Sequence, residues 1–423
     1  MNTRVPRRAV LAALGGSFVG VTGCTGEMPW EEALRGPGAE YRPETVSEGD
    51  VTAPGLTHGD LLDDFAEPSV WTAIEGTHSV TEDRTLVGDR ALWVGNENGR
   101  RAGVYRAFDE PLDLDDRQLS VALALDEPAD VTVTVECQAP DADHSLISSR
   151  RVPPELDDWL RLDVGYTDRE GEPDHTSVEG IRIWAERASD ERIGFTLDDL
   201  RATQSHGSGG VVLVFDGGPG SAYDEILEIT EESDSSGVLG VRPSLIDEPG
   251  GLPLDYLETF GERGWDVASY PLRSDPLPEL SADDQRTVIE ADSRRLADLG
   301  FEGGARHFLA PGNRIDASTL EAVRNTHETG FLSGGAPNAF PPSDLHTLSM
   351  ADGTDSAVVP RLVELATAYG QLLVLRFGTL TPDAEDTSST AYLRELVAFL
   401  DAREIEVLTA SDLLETVDQH SSL

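Results

Sequence analysis

The sequence predicts two folds in series, an N-terminal all-β sandwich and a C-terminal α/β closed barrel, and three observations carry that expectation. Between Leu61 and Gln204, short alternating apolar and polar runs recur with turn residues between them, as in half-buried antiparallel strands. From Val211 onward, apolar runs alternate with helix-length amphipathic stretches, the order that builds a parallel sheet. The chain's 423 residues suffice for two ordinary domains and a tail.

Residues 1–24 read as an export segment to be set aside from the fold. Arg7 and Arg8 precede an apolar run over 9–21 that ends in Val21-Thr22-Gly23-Cys24. The arginine pair resembles a twin-arginine signal and the ending resembles a lipobox, which implies a lipid on Cys24 and attachment to the outer face of the cytoplasmic membrane. The run is short and glycine-containing for a span of about 20 residues. Residues 25–58, rich in Gly, Pro, Glu and Ser, predict a disordered tether.

Strands are expected at 90–94, 119–125, 130–135 and 180–184 within a sandwich over 59–204. Asp64-Phe65, Trp71, Leu92-Trp93 and the run 195–200 resemble jelly-roll carbohydrate-binding modules. That resemblance allows sugar stacking by Trp71, Trp93, Trp159 or Trp184, though core packing is the expectation for each. It also allows calcium at Asp198-Asp199, against which a solvated strand end is expected. Residues 205–210 form a flexible joint. Beyond it, helices are expected at 223–232, 253–263, 283–299, 317–326 and 391–403. Strands are expected at 211–215, 237–241, 265–269, 307–310, 371–377 and 406–409.

Acidic residues number 79 against 32 basic ones, a net charge of −47, and every basic residue is arginine. Such self-repulsion is tolerable only where salt screens it, so a halophilic archaeal source is expected. No basic patch is available for nucleic acid as a partner. Cys24 and Cys137 are the only cysteines, so lipidation of the first leaves no internal disulfide.

The run Val-Val-Leu-Val-Phe-Asp-Gly-Gly-Pro at 211–219 delivers Asp216 to the carboxyl end of a buried strand, where α/β folds place their chemistry. It resembles the first motif of the polysaccharide deacetylases, the NodB-homology family, usually Thr-Phe-Asp-Asp-Gly-Pro. The resemblance covers the barrel region, 211–418, and implies a distorted (β/α)7 barrel. It also implies a divalent metal such as zinc on one aspartate and two histidines, a second aspartate as general base, and a late histidine as general acid.

Asp216 matches the base. The metal positions hold Gly217, Tyr270 and Ser274, or Asp275 in place of Ser274 if one residue is inserted. Leu309 stands where an arginine orients the base, and Gly378 where the general acid belongs. His307, His327 and His346 lack the spacing of a metal pair, and His307 reads as a structural core histidine. No metal cofactor is therefore expected. The expected role is a non-catalytic, carbohydrate-binding or envelope-supporting lipoprotein, with Tyr270, Phe377 and Phe340 as candidate sugar contacts. The alternative is a hydrolase of N-acetyl C–N or ester bonds in acetylated polysaccharide, using Asp216 and a non-standard site.

Overall fold

The computed structural model describes residues 59–384 and 386–420. The leader, Cys24 and the expected tether lie outside them. No described helix is long and apolar enough to cross a membrane.

Two antiparallel sheets form the sandwich. The first runs Thr77–Thr81, Ala91–Asn96, Ile193–Gln204, Arg117–Leu125 and Leu160–Asp163, with Asp60–Asp63 on the Ile193–Gln204 strand. The second runs Asp168–Glu170, Ser145–Val152, Val131–Gln138, Val178–Arg187, Arg101–Leu112 and Thr72–Glu75. Period-two alternation sends Val131, Val133, Val135 and Cys137 into the shared core and Thr134, Glu136 and Gln138 outward. Burial pushes the free Cys137 thiol up to about 12, so it is inert packing.

Seven parallel strands close the barrel: Gly210–Phe215, Val238–Val241, Asp266–Ser269, His307–Leu309, Thr329–Ser333, Leu348–Asp352 and Leu372–Phe377. Glu406–Leu408 pairs with the first half of Gly210–Phe215, while Val214 and Phe215 close the ring on Val238 and Leu239. The opening strand thus serves two neighbours in turn, which distorts the ring. Alternation fills the lumen with Val212, Val214, Val238, Leu309, Phe331, Met350 and Val374. Leu213, Phe215, Leu239, Val267, Leu375 and Phe377 face the surrounding helices.

One crossover lacks a helix. Residues 334–347 join Thr329–Ser333 to Leu348–Asp352 without one, leaving barrel wall that must be covered by something else. The sandwich covers it. Arg150 donates to the Thr347 carbonyl, Gln118 Oε1 accepts from Phe340 N–H at 2.7 Å, and Gly334 C=O accepts from Arg151 N–H at 2.8 Å. Gly165 lies against Pro337 too closely for a Cβ to fit. One apolar cluster runs from the sandwich core through Phe308, Leu320, Leu332 and Leu365 of the barrel. The start of the joint is tied to both folds: Ser205 N–H donates to Asp116 C=O and His206 N–H to Phe340 C=O, each at 2.7 Å.

Candidate functional site

At the barrel's carboxyl end the lumen rows finish in polar residues. Asp216 follows Val214, Tyr270 follows Ala268, Asp352 follows Met350 and Arg376 follows Val374. The missing Gly240 side chain would stand 3.4 Å from Asp216 Cβ and 3.5 Å from Tyr270 Cβ, so these residues share one level of the mouth. Asp216 Oδ2 accepts from Arg376 Nε at 2.8 Å and lies 2.7 Å from its Nη2 in an ion pair. The Asp216 side chain is 3% exposed and that of Arg376 is 40%. Asp216 Oδ1 is buried and has no hydrogen bond, and neither has the Tyr223 hydroxyl. Desolvation holds the Asp216 carboxyl above its ordinary range despite the opposing pull of Arg376. Burial and the Asp216 charge push the Tyr270 hydroxyl up in turn.

Sequence reasoning missed Arg376. The signal was available: in Leu372–Phe377 the alternation that sends Phe377 to the helices sends Arg376 to the lumen. Leu309, at the position of the absent base-orienting arginine, fills the lumen, and a guanidinium from another strand holds the carboxylate.

Two candidate sugar contacts are corrected. Phe377 is fully buried, stacked on Phe215 at 5.0 Å and covered by Gly353. Phe340 is fully buried under His206, 4.5 Å between rings, at the sandwich seam. Neither ring is available to a sugar. Tyr270 is at the mouth beside Asp216, 9% exposed.

The family's metal positions do not fit a divalent ion here. A Cβ on Gly217 would stand 2.7 Å from Gly378 O and from Thr379 Cα, so this backbone has no room for a carboxylate. Ser274 and Asp275 are exposed on a loop. Among the described residues no three of His, Cys, Asp and Glu gather as a metal site.

At the opposite end of the barrel, Asp266, His307, Thr329 and Ser411 form a closed network. Asp266 accepts from Ser411 N–H at 2.8 Å and Oγ–H at 2.7 Å, anchoring the Ala410–His420 helix start. His307 Nε2 meets Ser411 Oγ at 3.2 Å and its Nδ1 meets Thr329 Oγ1 at 2.9 Å. In a nucleophilic triad the carboxylate and hydroxyl occupy opposite ring nitrogens. Here Asp266 and Ser411 bond each other on one side, so the set is structural, at the end of a barrel that governs stability. His327 beside it is buried with both ring nitrogens unpartnered, and burial lowers it to about 3.

The sandwich offers a second candidate surface. Thr134, Glu136 and Gln138 point off the second sheet yet are only 6–8% exposed. Arg182 pairs in register with Tyr105 and Glu136, and Trp184 with Gly103 and Thr134. Arg182 Nη1 donates to Glu136 at 3.3 Å and Gln138 Nε2 to Glu136 at 3.2 Å. The Tyr105 ring lies over Gly180, where a Cβ would come within 2.7 Å of its hydroxyl. Of the four tryptophans, Trp71 and Trp159 are buried. Trp93 and Trp184 are half-buried on outward faces, because Leu92, Val94, Ile183 and Ala185 take the inward positions. Asp198 and Asp199 are fully buried rather than a solvated strand end. Asp199 pairs with Arg161 and Arg201, while Asp198 accepts from Leu86 and Val87 N–H and is pushed up to about 7 by burial.

No family model and no curated protein matches the chain. Among solved structures, the chain is similar to the Xyl-CE4 domain of a multidomain xylanase from the hindgut metagenome of Trinervitermes trinervoides. Identity is 16% and TM-score 0.35, over 50% of this chain and 92% of that one. A CE4 family pseudoenzyme from Bacillus anthracis is similar at 15% identity and TM-score 0.35, over 49% and 66%. A family 11 carbohydrate-binding module of a cellulosomal cellulase of Clostridium thermocellum is similar at 12% identity and TM-score 0.28, over 35% and 96%. Likenesses of this size do not identify a family.

Proposed function

We propose that the chain is an exported, lipid-anchored glycan-binding protein of a halophile, with a deacetylase-like barrel that does not hydrolyse its ligand and needs no resident metal. The observation that carries the binding role is the outer face of the second sandwich sheet. Two half-buried aromatic rings, Tyr105 and Trp184, and a hydrogen-bonded Arg182–Glu136–Gln138 set suit a sugar chain, whose apolar ring faces stack and whose hydroxyls pair with planar polar groups. The non-catalytic half rests on Asp216. Its one bonded oxygen is held by Arg376, and Gly217, Tyr270 and Ser274 supply no ion to activate water.

Titration of the full chain in multi-molar salt with neutral oligosaccharides tests the reading. Tyr105→Ala and Trp184→Ala should each weaken binding by roughly ten-fold or more, as loss of a stacking ring does at a binding centre. Unchanged affinity in both variants would move the site elsewhere. Acetate released from acetylated oligosaccharide in the presence of zinc, and lost in Asp216→Ala, would establish the hydrolase alternative instead.

A further inference from the structure

In so acidic a chain arginines find carboxylates. Around the barrel mouth Arg273 lies 3.6 Å from Asp292, Arg314 pairs with Glu155 and Glu279, and Arg376 holds Asp216. Arg242 is different. Its side chain is half-buried and makes no hydrogen bond or ion pair with the described residues. Its backbone is extended (φ −92°, ψ 97°) just beyond the Val238–Val241 strand. Two residues after Gly240, it continues the lumen row that faces Asp216 and Tyr270. Its Nη2 lies 3.4 Å from where a Cβ on Gly218 would stand, over the turn that follows Asp216.

The mouth therefore presents one guanidinium unpaired among the described residues and a second, Arg376, that is 40% exposed with two of its nitrogens at Asp216 Oδ2. Asp216 Oδ1 is sealed from solvent and offers a ligand no acceptor. The remaining carboxylate, Asp352, is taken up by the Thr354 N–H and hydroxyl in its own turn. A ligand that satisfies the guanidiniums must bring an anionic group. A sulfate or phosphate dianion is repelled by Asp216 and Asp352 more strongly than a singly charged carboxylate is. A neutral sugar leaves Arg242 uncompensated.

We propose that the barrel mouth binds an acidic saccharide through a hexuronate unit, with the carboxylate on Arg242 and Arg376. The saccharide half of this assignment rests on the glycan-binding function proposed above; the acidic half rests on the mouth alone.

The test is calorimetric titration of the full chain in high salt with oligosaccharides ending in galacturonate or glucuronate. The same chains with the carboxyl group reduced to the alcohol serve as neutral counterparts. At least one uronate chain should bind ten-fold or more tightly than its reduced form, and Arg242→Gln should abolish that preference. Arg242→Gln should leave thermal unfolding and binding of the reduced chains unchanged, because the side chain makes no hydrogen bond or ion pair with the described residues. Trp184→Ala should weaken the reduced chains and spare the uronate preference. Equal binding of charged and reduced chains, binding of neither, or a preference that survives Arg242→Gln would overturn the assignment. Loss of the neutral arm alone would count against the sandwich face and leave the mouth standing.

Discussion

The two ends of the barrel hold similar chemical parts put to opposite uses. The floor has an aspartate, a histidine and a serine within hydrogen-bonding reach, the inventory of a hydrolase. Every polar atom of that set is spent on another: Asp266 on Ser411, His307 on Ser411 and Thr329. The mouth has an aspartate, arginines and tyrosines without a recognisable catalytic order, but it has capacity left over near solvent in Arg242, half-buried and unpaired among the described residues. Unspent hydrogen-bonding capacity near solvent marks a site better than residue types do. A saturated network is architecture.

The sharpest way to break the comparison is Asp266→Ala. It strips partners from Ser411 N–H and Oγ and removes the acceptor that anchors the last helix, all in a buried setting. Losing a hydrogen-bonded buried carboxylate should cost about 3 kcal/mol, read as a shift in denaturant midpoint in high salt. A loss below about 1 kcal/mol would mean the floor is not the structural brace its geometry describes.

His327 sets the next effect. Its folded value, about 3, lies below the ordinary 6.5, so the unfolded chain takes up the proton first. The stability it allows at neutral pH is lost as pH falls below 6.5, down to about 3. His327→Leu removes that linkage. Relative to the parent, the variant should gain roughly 1.4 kcal/mol per pH unit below 6.5. Asp198, raised to about 7, works in the opposite direction in both proteins and cancels in the difference. Parallel stability curves from pH 7 to 5 would show that His327 finds a proton acceptor on acidification.

Much of the fold was legible because period carries it. The helices at 223–232 and 317–326 coincide with Tyr223–Glu232 and Ala317–Thr326. The strands Thr329–Ser333 and Leu348–Asp352 were not foreseen. Their runs, Thr-Gly-Phe-Leu-Ser and Leu-Ser-Met-Ala-Asp, mix small, polar and apolar residues because the sandwich replaces the helix that would demand an apolar outer face. The candidate site was half legible. Asp216 announced itself by strand, carboxylate and glycine turn. Its partner Arg376 lies 160 residues away, and only closure of the barrel brings the two together. Arg242 carried no local signal, since its distinction is the lack of a partner among the described residues and that is a property of the folded surface.

The smallest expected effect tests the mouth itself. Arg376→Gln takes the cation from a carboxylate that is 3% exposed, which at the floor would be costly. At the mouth Asp216 has a way out: burial already raises it, so without Arg376 it can take up a proton. The sign follows from linkage. A folded value above the ordinary 3.8 favours the fold at low pH, and that advantage is lost as pH rises through the folded value. The variant raises the folded value further, so its deficit should vanish near pH 4 and grow towards neutrality. At pH 7 it should reach about 1 kcal/mol, a modest figure because Arg376 is itself 40% exposed and screened. A deficit independent of pH would mean that Arg376 braces the mouth by packing. A deficit as large as that of Asp266→Ala would place both ends of the barrel in the same structural class.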